Sequence, residues 1–271
     1  MTSIARRQHH TSRLRRILRW GRLALPLLAL ACNQPPPPVA DGDGSGDAAD
    51  DESSDESTIP DTPDGETGTE KPSGSLYPLV DGATWTYLLT TNSGQVEGME
   101  IVNATEITWD GDQAWELIDN PNDKGNWTQS VIVRDGDRTM RVHKQQNGPL
   151  GIIELVDYDP GFTRANDQWD TVGEFEEQFY DRIAYDASGE NPVLEPRGHS
   201  YEVIAIETIT VPAGTFEAVQ VERVRTVGAA AGERVISWYV PGVGKIRELR
   251  PADSTIEELV SVAIPGGANL P

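Results

Sequence analysis

The chain has 271 residues, with 22 basic and 44 acidic side chains, and therefore a formal net charge of −22. Such an excess of negative charge repels DNA, RNA and anionic lipid headgroups, so nucleic-acid binding is excluded. A single cysteine excludes an internal disulfide bond. The 26 glycines, 19 prolines and seven tryptophans indicate turn-rich β structure joined to a segment that cannot form a core.

Residues 1–31 are typical of a secretory signal peptide. Seven arginines and no acidic residue precede an apolar run at 23–31, which ends directly before Cys32. Nine residues interrupted by a proline are too few for a transmembrane helix, which needs about 20. We therefore expect residues 1–31 to direct export of the remainder.

The segment Ala29-Leu30-Ala31-Cys32 resembles the lipobox of bacterial lipoprotein precursors. That motif usually reads Leu, a small residue, Gly or Ala, and Cys, so residues 29 and 30 depart from it. The resemblance implies that Cys32 is the mature N-terminus and carries diacylglycerol and an N-acyl chain such as palmitate. At about 0.8 kcal/mol per buried methylene, these chains would anchor the protein to a membrane. The alternative is a plain cleaved signal that leaves Cys32 as a free thiol.

The residue after the cysteine bears on which membrane holds the anchor. Asn33 differs from the aspartate that resembles an inner-membrane retention signal. We therefore expect the protein at the outer membrane, facing the periplasm or the cell surface.

Residues 32–75 are predicted to be a disordered linker. Between residues 41 and 70 there are 12 acidic side chains and no basic one, and residues 35–75 contain no aromatic residue. Such a composition cannot bury a core, and its charge favours an extended tether. Acidic residues from 41 to 52 match the spacing of a calcium-binding EF-hand loop, but no flanking helix is predicted, so we expect no metal site there.

From residue 76 to 271 the sequence predicts a mainly β domain with little helix. Short runs rich in Val, Ile, Thr, Trp and Tyr alternate with turn pairs such as Asp110-Gly111 and Asp135-Gly136. We expect an antiparallel, strongly curved sheet forming a barrel or half-barrel, with a β-sandwich as the alternative. The predicted strands cover residues 84–91, 99–109, 113–118, 127–134, 138–143, 152–158, 175–184, 201–211, 216–227, 234–239, 245–249 and 256–262.

One part of this assignment stays open. Residues 171–180 and 256–262 could instead form short helices. In 216–225, alternation predicts that Val219 and Val221 face the core while Gln220, Glu222 and Arg223 face solvent.

Three segments resemble exported bacterial lipoproteins of an uncharacterised family. They are 77–87 (YPLVDGATWTY), 211–216 (VPAGTF) and 238–247 (WYVPGVGKIR). Members of the family open with a PL-x-x-G-x-x-W-x-Y strand and close with PAGTF and W-Y-x-P-G-V-G. The resemblance implies a β fold similar to the half-barrels of periplasmic lipoprotein carriers, and it implies no activity or catalytic residue.

Motifs for catalysis or cofactor binding are missing from the sequence. His143 and His199 have no second histidine or cysteine nearby, so no zinc site is predicted. There is no G-x-S-x-G, no H-E-x-x-H and no glycine-rich phosphate loop, and we therefore expect no enzymatic activity, metal or cofactor. The alternative is a hydrolase, since two carboxylates about 6–7 Å apart on a strand suit glycoside hydrolysis. The candidate carboxylates are Glu174, Glu176, Glu177 and Asp181, or Asp157 with Asp159.

These observations together predict an envelope lipoprotein whose β domain binds an apolar ligand or an envelope protein. Trp85, Tyr87, Trp238 and Tyr239 most simply fill the core, and alternatively form a binding surface. Besides the hydrolase, the other alternative is an interaction module without a ligand pocket. An apolar cavity would favour the first function, a filled interior the second, and two convergent carboxylates with raised pKa values the hydrolase.

Overall fold

The computed structural model describes residues 74–186 and 188–270, which form β-strands and connecting turns without a helix. All twelve predicted strands are present, most of them longer than predicted. The two helical alternatives are wrong, since residues 175–180 and 256–262 lie in strands. The strands are β1 (Thr84–Thr91), β2 (Val96–Trp109), β3 (Asp112–Asp119), β4 (Trp127–Asp135), β5 (Arg138–Gly148), β6 (Gly151–Asn166), β7 (Phe175–Tyr185), β8 (Val193–Val211), β9 (Gly214–Val227), β10 (Arg234–Val240), β11 (Gly244–Arg250), β12 (Thr255–Ala263) and β13 (Asn269–Leu270).

The first twelve strands close into an antiparallel barrel. Each strand pairs with the next along the chain, and β1 also pairs with β12, with Trp85 opposite Val262 and Tyr87 opposite Leu259. The short β13 pairs with the end of β12. Closure gives β1 and β12 a partner on both sides and so removes the free edges of an open sheet. The predicted barrel is confirmed, and the sandwich is excluded.

Local sequence accounts for the sharp hairpins. Asp110 and Gly111 join β2 to β3 with φ angles of 51° and 94°. A type I′ turn needs positive φ at both central residues and has the twist of the flanking strands, which is why Asp-Gly is favoured there. The hairpin between β4 and β5 differs: Asp135 is the last residue of β4 and pairs with Arg138, so Gly136, with a φ of 60°, and Asp137 form the turn.

The two ends of the barrel differ. Turns after odd-numbered strands lie at one end, which we call the mouth, and turns after even-numbered strands lie at the other, the base. Residues 75–77 cross the base: Gly242 N donates to Ser75 O over 2.9 Å, and Leu76 N donates to Asp167 Oδ1 over 2.8 Å. Arg134 Nη1 lies 2.7 Å from Asp167 Oδ2. These bonds hold the crossing segment in place.

Apolar side chains fill the interior next to this crossing segment. Leu76 packs in a buried cluster with Trp169, Tyr201 and Tyr239, and the Trp169 and Tyr201 rings stack 5.4 Å apart. The base is therefore filled by packed aromatic residues. No helix in the described part of the chain is long and apolar enough to cross a membrane.

Candidate functional site

Two adjoining cavities occupy the interior of the barrel. The inner cavity, of about 300 Å³, is lined by β1 to β6, β11 and β12, and it reaches Tyr77 of the base segment. The outer cavity, of about 490 Å³, is lined by β5 to β11 and reaches Glu233 and Asp253 beside the turns of the mouth. Their common wall contains Arg141, Lys144, Arg164 and Arg250. Because all twelve strands contribute, we treat the two cavities as one lumen that opens at the mouth.

Basic side chains are concentrated in this lumen. Of the 14 Lys and Arg residues in 74–270, nine line the two cavities, against seven of the 32 acidic residues. The outer cavity alone has eight basic and four acidic side chains. The interior is therefore positive although the protein is strongly negative. The nine are Arg141, Lys144, Arg164, Arg182, Arg197, Arg223, Arg225, Lys245 and Arg250.

Part of this charge is neutralised within the lumen. Lys245 Nζ contacts Glu257 and lies 3.4 Å from Glu248, and Arg250 lies 2.5 Å from Glu248 and 3.4 Å from Glu257. Burial opposes ionisation of Glu248, but Lys245 and Arg250 outweigh it and hold the pKa of that carboxyl well below its usual range. Two cations and two anions thus form a balanced group.

Three arginines of the lumen have no such partner. Arg141, Arg164 and Arg223 form no ion pair with any carboxylate of the described chain, unlike their neighbours in the walls. Arg141 Nε is buried without a hydrogen-bond partner, and the Arg223 guanidinium lies over the Phe162 ring at 4.9 Å. Burial and the nearby charge of Arg164 lower the pKa of Arg141. Carboxylates act on two of them from a distance, Asp119 on Arg141 and Glu248 on Arg164, whose pKa is raised, but no ion pair occupies the three guanidinium groups.

The position of Arg223 corrects the sequence-based assignment. In β9, Arg223 and Arg225 continue the row of Val219 and Val221, because alternate residues of a strand share a face. Both arginines line the outer cavity instead of facing solvent. The alternation continues through Arg223, where the sequence analysis had broken it by placing Glu222 and Arg223 both in solvent, and the inward row changes from apolar to basic toward the mouth.

A pair of carboxyl groups lies in the inner cavity, on β2 and β3. Burial, with the charges of Glu257 and Asp119, raises the pKa of Glu100 to about 8, and burial also raises the pKa of Asp119. The two carboxyls are near enough for Glu100 to oppose this rise, since a hydrogen bond with Glu100 lowers the pKa of Asp119. Hydrogen-bonded carboxyls are closer together than the roughly 5 Å or more that separates the catalytic pair of glycosidases. The sequence analysis missed both residues, although Glu100 shares the inward row of Val102 and Ala104.

The predicted aromatic residues are all buried but do not form one surface. Trp85 and Tyr87 line the inner cavity, and they donate hydrogen bonds to the carbonyl oxygens of Val243 (2.8 Å) and Lys245 (3.0 Å). Tyr239 donates to Arg164 O over 2.8 Å.

Trp238 lies on the opposite face of β10 from Tyr239. Its Nε1 donates to Glu207 over 2.8 Å, and the Arg247 guanidinium lies 5.1 Å from its ring. Trp238 lines neither cavity of the lumen.

The acidic residues proposed for hydrolysis also lie apart from the lumen. Glu176 pairs with Arg138 at 2.8 Å, and Asp157 contacts His143 at 2.6 Å. None of the six predicted carboxylates lines either cavity. Residues 74–186 and 188–270 contain no group of three or more His, Cys, Asp or Glu that could hold a metal ion. Cys32, the signal peptide and residues 32–73 of the predicted linker lie outside the described residues, whereas Ser75, predicted to be linker, is held at the base of the barrel.

Comparisons with known proteins identify no family. No family model matches the chain, and no curated protein matches it. Among solved structures, the chain is similar to a Bacteroides fragilis protein described as exported and as having a YmcC-like fold, with 12% identity and a TM-score of 0.41, covering 70% of this chain and 99% of that one. A Parabacteroides distasonis protein described as a lipoprotein is 16% identical with a TM-score of 0.40, covering 71% and 100% respectively.

Proposed function

We propose that the protein is an exported lipoprotein, anchored to the envelope through Cys32, whose barrel binds an anionic ligand in its lumen. The observation that carries this proposal is the concentration of basic residues: nine of 14 line the lumen of a protein with a net charge of −22. Confining like charges in a partly desolvated space costs free energy, so they are seldom placed there without a counter-charge. A bound anion would supply that counter-charge for Arg141, Arg164 and Arg223.

The lumen supports an anionic ligand better than the purely apolar ligand expected from sequence. An apolar molecule would displace water from guanidinium groups without replacing its hydrogen bonds, which is unfavourable. The rings of Tyr158, Phe162 and Tyr180 form a wall of the outer cavity, so an anion that also carries an apolar part fits. A lumen of this size also favours ligand binding over a module without a pocket.

The envelope location in this proposal depends on the sequence. The arginine-rich leader and the lipobox resemblance at Cys32 support export and lipid anchoring. Glu100 and Asp119 have the raised pKa values that would favour a hydrolase. We assign no catalytic step, because this close pair lacks the separation for glycoside hydrolysis and no nucleophilic motif is present.

Calorimetry with three probes of one size tests ligand charge. Titrating the mature protein with naphthalene sulfonate, naphthol and naphthylmethylammonium should give binding for the anion alone. Raising the salt concentration should weaken that binding, since salt screens partly exposed charges. Equal binding of the three probes would contradict the proposal.

One substitution and its control test whether the anion binds in the lumen. Arg164→Gln should weaken naphthalene sulfonate binding by about tenfold or more, because an unpaired guanidinium of the lumen is lost. Arg234→Gln is the matched control, since this arginine pairs with Glu222 and its side chain is 57% exposed. An anion that binds both variants as tightly as the wild type does not occupy the lumen.

A further inference from the structure

One part of the outer cavity has the features of a built site. On β8 and β9, His199 lies opposite Arg225, and Tyr201 lies opposite Arg223. Arg197, His199, Arg223 and Arg225 all line the outer cavity, so these two neighbouring strands project a compact basic group into one space.

His199 forms the floor of this group. It is only 4% exposed, its ring stacks on Tyr180 at 5.7 Å and 5°, and it lies 5.3 Å from the Phe162 ring. Its Nδ1 atom is buried and has no hydrogen-bond partner in the described chain. Burial, followed by the charges of Arg223, Arg225 and Arg197, lowers the pKa of His199 to about 3, so the ring is neutral. A neutral imidazole carries one N–H donor.

The three arginines around His199 are incompletely satisfied. Arg223 has no carboxylate partner and lies over Phe162. Arg225 pairs with Glu233 at 3.0 Å, but its Nε is buried without a partner. Arg197 pairs with Glu195, a carboxylate that also pairs with Arg182. Positive charge and hydrogen-bond donors therefore exceed the carboxylates available to them.

These features match a phosphoryl group better than a single carboxylate. A phosphate monoester carries close to two negative charges at neutral pH and three oxygens that accept hydrogen bonds. Guanidinium groups present paired N–H donors with the spacing of such oxygens. The stacked rings of Tyr180 and His199 with Phe162 provide an apolar face beside the charge.

We propose that the group formed by Arg197, His199, Arg223 and Arg225 binds a doubly charged phosphoryl group whose attached organic part lies against Phe162 and Tyr180. This inference rests on the proposed anion-binding lumen and names its ligand class. A soluble phosphate monoester and the headgroup of a phosphate-monoester lipid share this chemistry.

Phenyl phosphate and phenyl sulfate test the charge requirement, because they have the same shape and differ by about one charge at pH 7.5. By calorimetry on the mature protein, phenyl phosphate should bind at least about tenfold more tightly than phenyl sulfate. Arg223→Gln and His199→Ala should each weaken phenyl phosphate binding by about tenfold or more, and Arg234→Gln should leave it unchanged. Circular dichroism shows which variants fold. If either Arg223→Gln or His199→Ala does not fold, the other variant still tests the site.

The source of the phosphoryl group is resolved by competition. Vesicles of phosphatidylcholine containing phosphatidic acid displace bound phenyl phosphate if the site takes a lipid headgroup, and pure phosphatidylcholine vesicles do not. Failure of both to compete, with tight phenyl phosphate binding, assigns a soluble monoester.

Two outcomes overturn the inference, and they differ in their consequence. If phenyl sulfate binds as tightly as phenyl phosphate, or Arg223→Gln and His199→Ala bind normally while Arg164→Gln does not, the site is wrong but the anion-binding lumen stands. If no anionic probe binds at all, the proposed function fails as well.

Discussion

Arg141 and Arg164 lie on the adjacent strands β5 and β6 and share the wall between the two cavities, although both carry positive charge. Neither has a carboxylate ion-pair partner in the described chain. The charge of Arg164, added to burial, lowers the pKa of Arg141. The contact is therefore unfavourable for Arg141, whereas nearby Glu248 favours the charge of Arg164; such a contact is expected where a binding site is maintained at the expense of stability.

This contact predicts that removing one charge stabilises the protein. Arg141→Gln should raise the free energy of unfolding by about 1 kcal/mol, because the repulsion from Arg164 and part of the burial cost disappear. Urea denaturation measures the change. Arg138→Gln on the same strand is the control: its side chain is 45% exposed and pairs with Glu176, so a change within about 0.5 kcal/mol is expected. A clear loss of stability in Arg141→Gln would refute the repulsion.

The raised pKa of Glu100 predicts that the free energy of unfolding decreases as the pH rises. Since burial raises the pKa of Glu100 to about 8, the folded state retains a proton between about pH 5 and 8 that the unfolded chain releases. Stability contributed by this proton is present at low pH and lost as the pH approaches 8. Glu100→Gln should remove the effect, so the variant should gain stability relative to wild type as the pH is raised.

Denaturation at several pH values from 5 to 8 tests this difference. His199 has the opposite effect: its lowered pKa keeps the folded ring neutral while the unfolded histidine is protonated, so stability rises with pH until the unfolded histidine loses its proton near pH 6.5. That contribution is common to both proteins and cancels. Glu97→Gln, at an exposed position of the same strand, is the control. A difference between wild type and Glu100→Gln that stays constant with pH rules out the raised pKa.

The buried tryptophans are predicted to carry much of the packing. Trp85 and Trp238 are 3% and 6% exposed, so replacing either with alanine should cost roughly 3–5 kcal/mol. Phe179→Ala should cost far less, since Phe179 is 60% exposed. Chemical denaturation compares the three variants. Normal stability combined with lost ligand binding would instead assign the tryptophans to a binding surface.

The segment across the base is predicted to depend on Asp167. Its carboxylate accepts hydrogen bonds from Leu76 N and Ser75 Oγ and pairs with Arg134. Asp167→Ala removes the acceptor of Leu76 N and Ser75 Oγ, while Arg134 keeps its bond to Tyr77 O, and should cost roughly 2–3 kcal/mol. Thermal denaturation should show a lowered Tm. Asp137→Ala, in an exposed turn nearby, serves as the control, and equal effects of the two would show that the base is not held as described.

The lipid anchor has its own test at Cys32. Cys32→Ser should move the exported protein from the detergent phase to the aqueous phase, because no acyl chain can be attached. Mass spectrometry of the mature N-terminus identifies the modification in the wild type. Unchanged partitioning, or an unmodified thiol, would disprove the anchor.

The strands and turns were predictable because they depend on local properties. β1 was predicted with both ends correct, since alternating apolar residues and the flanking turns define it. Asp110-Gly111 and the Pro-Gly-Val-Gly segment after β10 form the predicted hairpins for the same reason: few other residues adopt positive φ at low cost.

The anion-binding lumen was not predictable from the sequence because it depends on closure of the barrel. Arg141, Arg164 and Arg223 lie on three strands, and each has the appearance of an ordinary polar strand position. The sequence reading placed Arg223 in solvent because it assumed that inward residues are apolar, an assumption that holds for a filled interior and fails toward an open mouth. Glu100 was missed for the same reason.

The amino-acid sequence alone determined twelve strands, their order and their turns, because alternation and glycine chemistry act over a few residues. Only the tertiary structure decided which face of each strand became the interior. Pairing β1 with β12 encloses one face of every strand at once, and this brings basic residues far apart in the chain into a single space.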